Sequence, residues 1–169
     1  MKEFDHGIEI ERKYIIAMPD ESLFSAMDGY SRDEIVQTYL SSESGVTRRV
    51  RSRTSEHGVC YYETVKVRID AMSAHESERE LTEAEYLAML PEIAEGTRPI
   101  VKVRHSFSYR SQLFEVDVYP EWKSTAILET ELPSRDTAVK FPECITVLRE
   151  VTGIKAYSNA SMSRSFPEE

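Results

Sequence analysis

Apolar and polar residues alternate with period two along much of this chain. In "GIEIERKYII", residues 7–16, Ile8, Ile10, Tyr14 and Ile16 share one parity with Arg12, and Glu9, Glu11 and Lys13 share the other. Successive side chains of a strand point to opposite faces, so this pattern predicts a strand. The same alternation recurs at 46–53, 59–70, 99–108, 112–119 and 126–132. "IVQTYLS" at 35–41 predicts a further strand and "SERELT" at 77–82 an eighth.

Helical signals are fewer. "PDESLFSAM" opens with Pro19 and acids, as a helix start does. "TEAEYLAMLPEIAEG" opens with the capping-box spacing of Thr82 and Glu85, ends at Gly96 and is divided by Pro91. "FPECITVLREVTG" has Pro142 at a helix start and Gly153 as its stop. Many strands with a few interspersed helices imply an α+β fold with an antiparallel sheet. Closing such a sheet into a barrel removes its edges.

The polar faces carry an uneven distribution of charge. Thr47, Arg49, Arg51 and Arg53 share one face of their segment; Thr64, Lys66 and Arg68 share another. Lys102 and Arg104 lie opposite Val101, Val103 and Phe107. Glu115 and Asp117, then Glu129 and Glu131, form acidic faces, as do Glu78 and Glu80. Alternation usually means a sheet with one wet face. Here, however, like charges recur two residues apart, about 7 Å along a strand, and repel unless something compensates them. Cross-strand ion pairs would do so. So would an anion among the bases and a divalent cation among the acids: guanidinium and ammonium groups match phosphate oxygens, and carboxylates are hard ligands for Mg2+ or Mn2+. In that arrangement the charges face the barrel interior and the apolar faces point outward, under the helices.

Composition narrows the setting. With 169 residues the chain suits a single domain over 1–169. Thirty acids against 21 Lys and Arg give a net charge of −9, which argues against DNA coating by the whole surface. Cys60 and Cys144 stand far apart, with no zinc-type spacing, and Cys60 is expected to be at least half-buried. The four His residues show no metal spacing, and His6 reads as a surface residue. No apolar run suits a membrane span and the N-terminus lacks an apolar signal region, so a cytoplasmic location is expected.

The order of charged motifs resembles one family. Glu9-Ile-Glu11-Arg-Lys13 is similar to the ExExK signature of the CYTH domain, the triphosphate tunnel metalloenzymes. Arg49 and Arg51 resemble its RxR strand, Lys66 its lysine strand, Glu78 and Glu80 its ExE strand, and Lys102 and Arg104 its KxR strand. "FEVDVY" and "LETEL" resemble its late acidic strands, and "EVTGIKAYSN" its closing segment, so the likeness spans about residues 7–160. It implies a closed eight-stranded antiparallel tunnel with flanking helices and a charged bore. It also implies a metal-dependent hydrolase, with Glu9, Glu11, Glu129 and Glu131 on Mg2+ or Mn2+. Lys13, Arg49, Arg51, Lys66, Lys102 and Arg104 then hold phosphates, and Glu9, Glu11, Lys13 and Glu131 carry the catalysis. Glu78, Glu80, Glu115, Asp117 and Lys155 support them, and Lys155 with Tyr157 closes one end.

Inorganic tripolyphosphate is the first expected substrate, because no motif for an organic moiety is visible. ATP or thiamine triphosphate hydrolysis and class IV-type adenylyl cyclisation are the alternatives, followed by non-catalytic binding of polyphosphate or nucleotide. The partner is thus a small triphosphate, with no DNA or membrane, and the chain is expected as a monomer or homodimer.

Overall fold

A computed structural model describes residues 5–169, with side chains from Gly7 onward; His6 therefore lies outside the described side chains. Nine strands form one sheet: β1 (Asp5–Ala17), β2 (Asp28–Leu40), β3 (Val46–Ser55), β4 (Gly58–Arg68), β5 (Ser73–Leu81), β6 (Ile100–Tyr109), β7 (Gln112–Val118), β8 (Thr125–Glu131) and β9 (Val147–Glu150). They run in the order β5-β4-β3-β2-β6-β7-β8-β1-β9. Pairing of β5 with β1 closes the first eight into an antiparallel barrel. The partners of β1 are divided along its length. Its N-terminal half pairs with β5, and its C-terminal half pairs with β8 on one side and β9 on the other.

Two of the expected helices are short. The segment after Pro19 forms a 3-10 helix, Glu21–Ala26, capped by the Asp20 side chain. Helix α1 (Glu83–Met89) starts at the Thr82–Glu85 capping box, and Pro91 converts its continuation into one 3-10 turn. The third expected helix is absent. Residues 142–150 form a turn and then strand β9, and Gly153 follows with a φ of +73°. Ile145, Thr146 and Val147 form a β-branched run whose restricted χ1 favours the extended backbone. The last helix, α2 (Asn159–Met162), is one short turn.

Apolar burial is split into three clusters around the barrel wall. The outward faces of β1, β6, β7 and β8 supply Tyr14, Ile16, Phe107, Phe114, Val116 and Leu128, covered by Phe24 of the 3-10 helix and by Ile145. Leu40, Val50 and Leu81 lie under Tyr86 of α1. The third cluster lies at one end of the barrel, where Ile15, Ile100, Tyr119 and Ile127 meet Tyr39, Trp122, Val151 and Met162. Its cover is the C-terminal segment, pinned by Tyr119 Oη donating to Asn159 Oδ1 at 2.7 Å and Trp122 Nε1 donating to the Pro167 carbonyl at 2.9 Å. No helix among the described residues is long and apolar enough to cross a membrane.

Candidate active site

The rest of the barrel interior is a cavity of about 940 Å³ lined by charged side chains. Strand parity places them there; the opposite parity carries the outward apolar clusters on most strands and, on β3, β4 and β5, an ion-pair network in which Arg48 and Arg79 both hold Glu63 at 2.8 Å. The acidic wall comes from Glu9 and Glu11 on β1, Glu76 and Glu78 on β5, Glu115 on β7, and Glu129 and Glu131 on β8. The basic wall comes from Lys13 on β1, Arg49 and Arg51 on β3, Lys66 and Arg68 on β4, and Arg104 on β6. A smaller hollow of about 210 Å³, lined by Gly7, Ile8, Glu9, Glu76, Glu78 and Glu131, marks an acidic mouth. Residues 151–155 and 158–161 with Arg164 border the main cavity elsewhere, and Lys155 is among them.

Cross-strand register sets the ion pairs. Glu11 sits opposite Glu131, and Lys13 opposite Glu129, between β1 and β8. Lys13 Nζ lies 3.0 Å from Glu129 Oε1 and donates to the Tyr157 carbonyl at 3.3 Å. Arg104 donates Nε and Nη2 to the two oxygens of Asp117 at 2.7 and 2.8 Å, while its Nη1 reaches Glu115 at 2.6 Å. Arg51 Nη2 and Thr64 Oγ1 both donate to Glu78 Oε2, at 2.8 and 3.0 Å. Lys66 Nζ touches three carboxylates, Glu9 at 2.9 Å, Glu76 at 3.4 Å and Glu11 at 3.7 Å.

Charge is not evenly matched between the walls. Burial raises the Glu9 carboxyl against the opposing pull of Lys66, and Glu76 raises it further. Burial and then Glu129 raise Glu11. Burial raises Glu131 too, and so do Glu9, Glu115, Glu11 and Glu76. Glu129 is the exception, because Lys13 and Arg104 overcome its burial and bring it down to about 2. On the basic wall, burial and neighbouring Arg49 lower Arg51. Arg49 Nε and Arg51 Nε are buried with no hydrogen-bond partner among the described residues. A buried donor without an acceptor costs about 1–3 kcal/mol, and both residues line the cavity.

Not every residue named from the sequence reaches the cavity. Lys102 lies inside the barrel but beneath it, 1% exposed, beside the Tyr119 ring and 2.7 Å from Asp117. Burial and Arg104 hold its ammonium down at about 8, against the pull of Asp117. Asp117 is likewise fully buried and stays ionised because Arg104 and Lys102 offset its burial. Glu80 does not line the cavity; Glu76, two residues before Glu78 on the same face, does. The segment "SERELT" stopped short of it, whereas the strand begins at Ser73. Asp33, 2% exposed and bound by Arg53 Nη2 at 2.7 Å, carries no local sequence signal, since its partner sits on another strand. Cys60 is exposed, contrary to expectation: it shares the parity of Thr64 and Lys66 but lies at the start of β4, where Gly58 and Val59 are exposed too. Among the described residues no three His, Cys, Asp or Glu are grouped to hold a metal ion, and Lys66 and Lys13 pair with several of the acids.

No protein-family model matches the sequence, and no curated protein matches it. Solved structures do. The inorganic triphosphatase NE1496 is 28% identical, over 95% of this chain and 97% of that one, with a TM-score of 0.58. The PH1819 protein of Pyrococcus horikoshii OT3 is 17% identical, over 76% of this chain and 80% of that one, with a TM-score of 0.57. The PH1012 protein of the same organism is 18% identical, over 75% and 80%, with a TM-score of 0.55. The last two share the fold. A closed barrel of eight antiparallel strands, a charged interior and these neighbours lead to one assignment: the chain carries a CYTH-like domain with the triphosphate tunnel fold.

Proposed function

We propose that the protein is a triphosphatase that hydrolyses inorganic tripolyphosphate inside the barrel, aided by a divalent metal ion. The observation that carries this reading is a cavity lined by Arg49, Arg51 and Arg104 together with Glu9, Glu11 and Glu131, whose carboxyls are raised by burial first and by neighbouring carboxylates after it. Such a cavity takes up an anion and a cation together. The likeness to the inorganic triphosphatase NE1496, across nearly the whole of both chains, supports the same substrate.

The carboxylates fit a hard divalent ion by donor chemistry. Glu11 and Glu131 face each other in register, with Glu9 one step to one side and Glu129, opposite Lys13, one step to the other, and we assign these four to it. Mg2+ and Mn2+ both suit oxygen donors. The ion, when bound, supplies charge neutralisation for the phosphate oxygens and acidifies water. The chain's own groups then do the positioning. Arg49, Arg51, Arg104 and Lys13 bind phosphate oxygens; their charges are fixed before the substrate arrives, so little reorganisation is needed as negative charge shifts in the transition state. Asp117 grips Arg104 through two bonds and holds its Nη1 against Glu115 in the cavity wall, and Lys102 shares that carboxylate from below. Neither Lys102 nor Asp117 is assigned a phosphate contact.

The test is a panel of tripolyphosphate, ATP, GTP and thiamine triphosphate with Mg2+ or Mn2+, scored for phosphate and for cyclic nucleotide. Tripolyphosphate is expected to be hydrolysed fastest, and Glu11→Gln is expected to lose about 100-fold or more in kcat/KM, the scale of a lost charge-stabilising group. Cyclic nucleotide as the main product, or Glu11→Gln at wild-type rate, would refute the assignment.

A further inference from the structure

Lys66 occupies an unusual place for a phosphate ligand. Its Nζ lies among three carboxylates, those of Glu9, Glu76 and Glu11, and is 20% exposed. On the neighbouring strand Thr47 pairs directly with Lys66, and Arg49 follows two residues on. The lysine therefore stands at the border between the acidic and basic walls. The other acidic residues are differently served. Glu129 is held by Lys13 and approached by Arg104, whereas Glu131 faces other carboxylates. Lys66 is thus the one ammonium shared by the Glu9, Glu11 and Glu76 group among the described ion pairs. A divalent ion entering that group meets a positive charge already in its place. Two cations within a few ångströms repel strongly in a partly buried site. The lysine side chain is a point charge on a flexible four-carbon stem, able to turn aside without moving the strand.

We infer that Lys66 is a displaceable internal cation: it pairs with Glu9 and Glu11, two of the four carboxylates assigned to the metal, and with neighbouring Glu76 until a divalent ion takes Glu9 and Glu11, and then turns toward the basic wall to meet phosphate. This rests on the metal assignment proposed above. It makes metal and triphosphate mutually reinforcing ligands, because the metal frees a cation that the anion uses, and such coupling is reciprocal. Lys66 is then a positioning group with two partners in succession.

The experiment is a titration of the full chain with Mn2+ alone, without any phosphate, reading free Mn2+ by electron paramagnetic resonance. Lys66→Met is compared with wild type and with Arg68→Met, which removes an equal charge from the same strand face with no carboxylate contact described. Lys66→Met is expected to bind Mn2+ about tenfold more tightly than wild type, and more tightly than Arg68→Met, since it removes a direct competitor as well as a charge. A gain no larger than that of Arg68→Met overturns the inference. A second measurement needs no destabilised variant. The Lys66 ammonium resonance of the wild-type protein, identified by its loss in Lys66→Arg, is followed as Mg2+ is added. It is expected to change from a slowly exchanging, hydrogen-bonded signal to that of a mobile lysine; an unchanged signal up to saturating Mg2+ overturns the inference. Neither readout involves turnover. An inactive protein that shows both changes refutes the triphosphatase reading alone, and an active protein that shows neither refutes the displacement alone.

Discussion

Asp117 shows what single residues contribute here. One carboxylate, fully buried, receives two bonds from Arg104 and one from Lys102. Removing its charge leaves buried Lys102 without a described ion-pair partner and Arg104 with only Glu115 and, at 3.8 Å, Glu129, and breaking a buried pair on one side costs about 3–5 kcal/mol. Asp117→Asn is therefore expected to lower stability in urea by that amount, and adding Lys102→Met to it should recover part of the loss. A destabilisation under about 1 kcal/mol, or no recovery, would show that the cations find other partners. Parity read from the sequence identifies which side chains share the interior face, and it is enough to collect Glu9, Arg51 or Glu129. It does not give depth. Lys102 and Arg104 share a face two residues apart, yet one lies below the cavity and the other in its wall. Depth depends on strand tilt and on the apolar end cluster, and neither leaves a mark on a single strand.

At the scale of elements, strands were legible and the C-terminal third was not. Period-two alternation marks six of the barrel strands, while β2 is read from the run at 35–41 and β5 from 77–82, and both start earlier, at Asp28 and Ser73. The stretch 142–153 carries helix punctuation at both ends and still forms a strand. Its partner is β1, through Tyr14–Ile16, and such a long-range pairing is invisible to local pattern. Gly153 then has a different task from stopping a helix. Its φ is +73°, and a Cβ there would lie 2.7 Å from the Ala71 Cβ and 3.2 Å from that residue's backbone. Gly153→Ala is expected to cost about 1–3 kcal/mol in urea unfolding, since it combines left-handed backbone strain with a clash against main chain. Stability within about 0.3 kcal/mol of wild type would mean that the 69–72 turn yields easily.

For the molecule as a whole, the charged interior links stability to pH and to metal. Glu9, Glu11 and Glu131 have folded pKa values raised above their ordinary ones, so the native state holds more protons than the unfolded chain. Their contribution to stability is complete below the ordinary glutamate range and is lost as pH rises through the raised values. A divalent ion reverses the balance, because it requires the ionised forms. Mg2+ is expected to raise the melting temperature by about 3–6 °C at pH 8 and by far less at pH 5, as differential scanning calorimetry can check. Equal gains at both values would count against these acids as the site; Glu129, at about 2, stays ionised throughout and cannot produce the difference. The barrel's apolar clusters lie on its outer wall and at one end, leaving ion pairs and crowded carboxylates, not packing, at its middle. Whatever fills the bore completes the interior of the fold, as a hydrophobic centre does elsewhere. Proteases cut chains that open, so the protein's lifetime in a cell would follow the supply of its ligands, and a starved cell would clear it first.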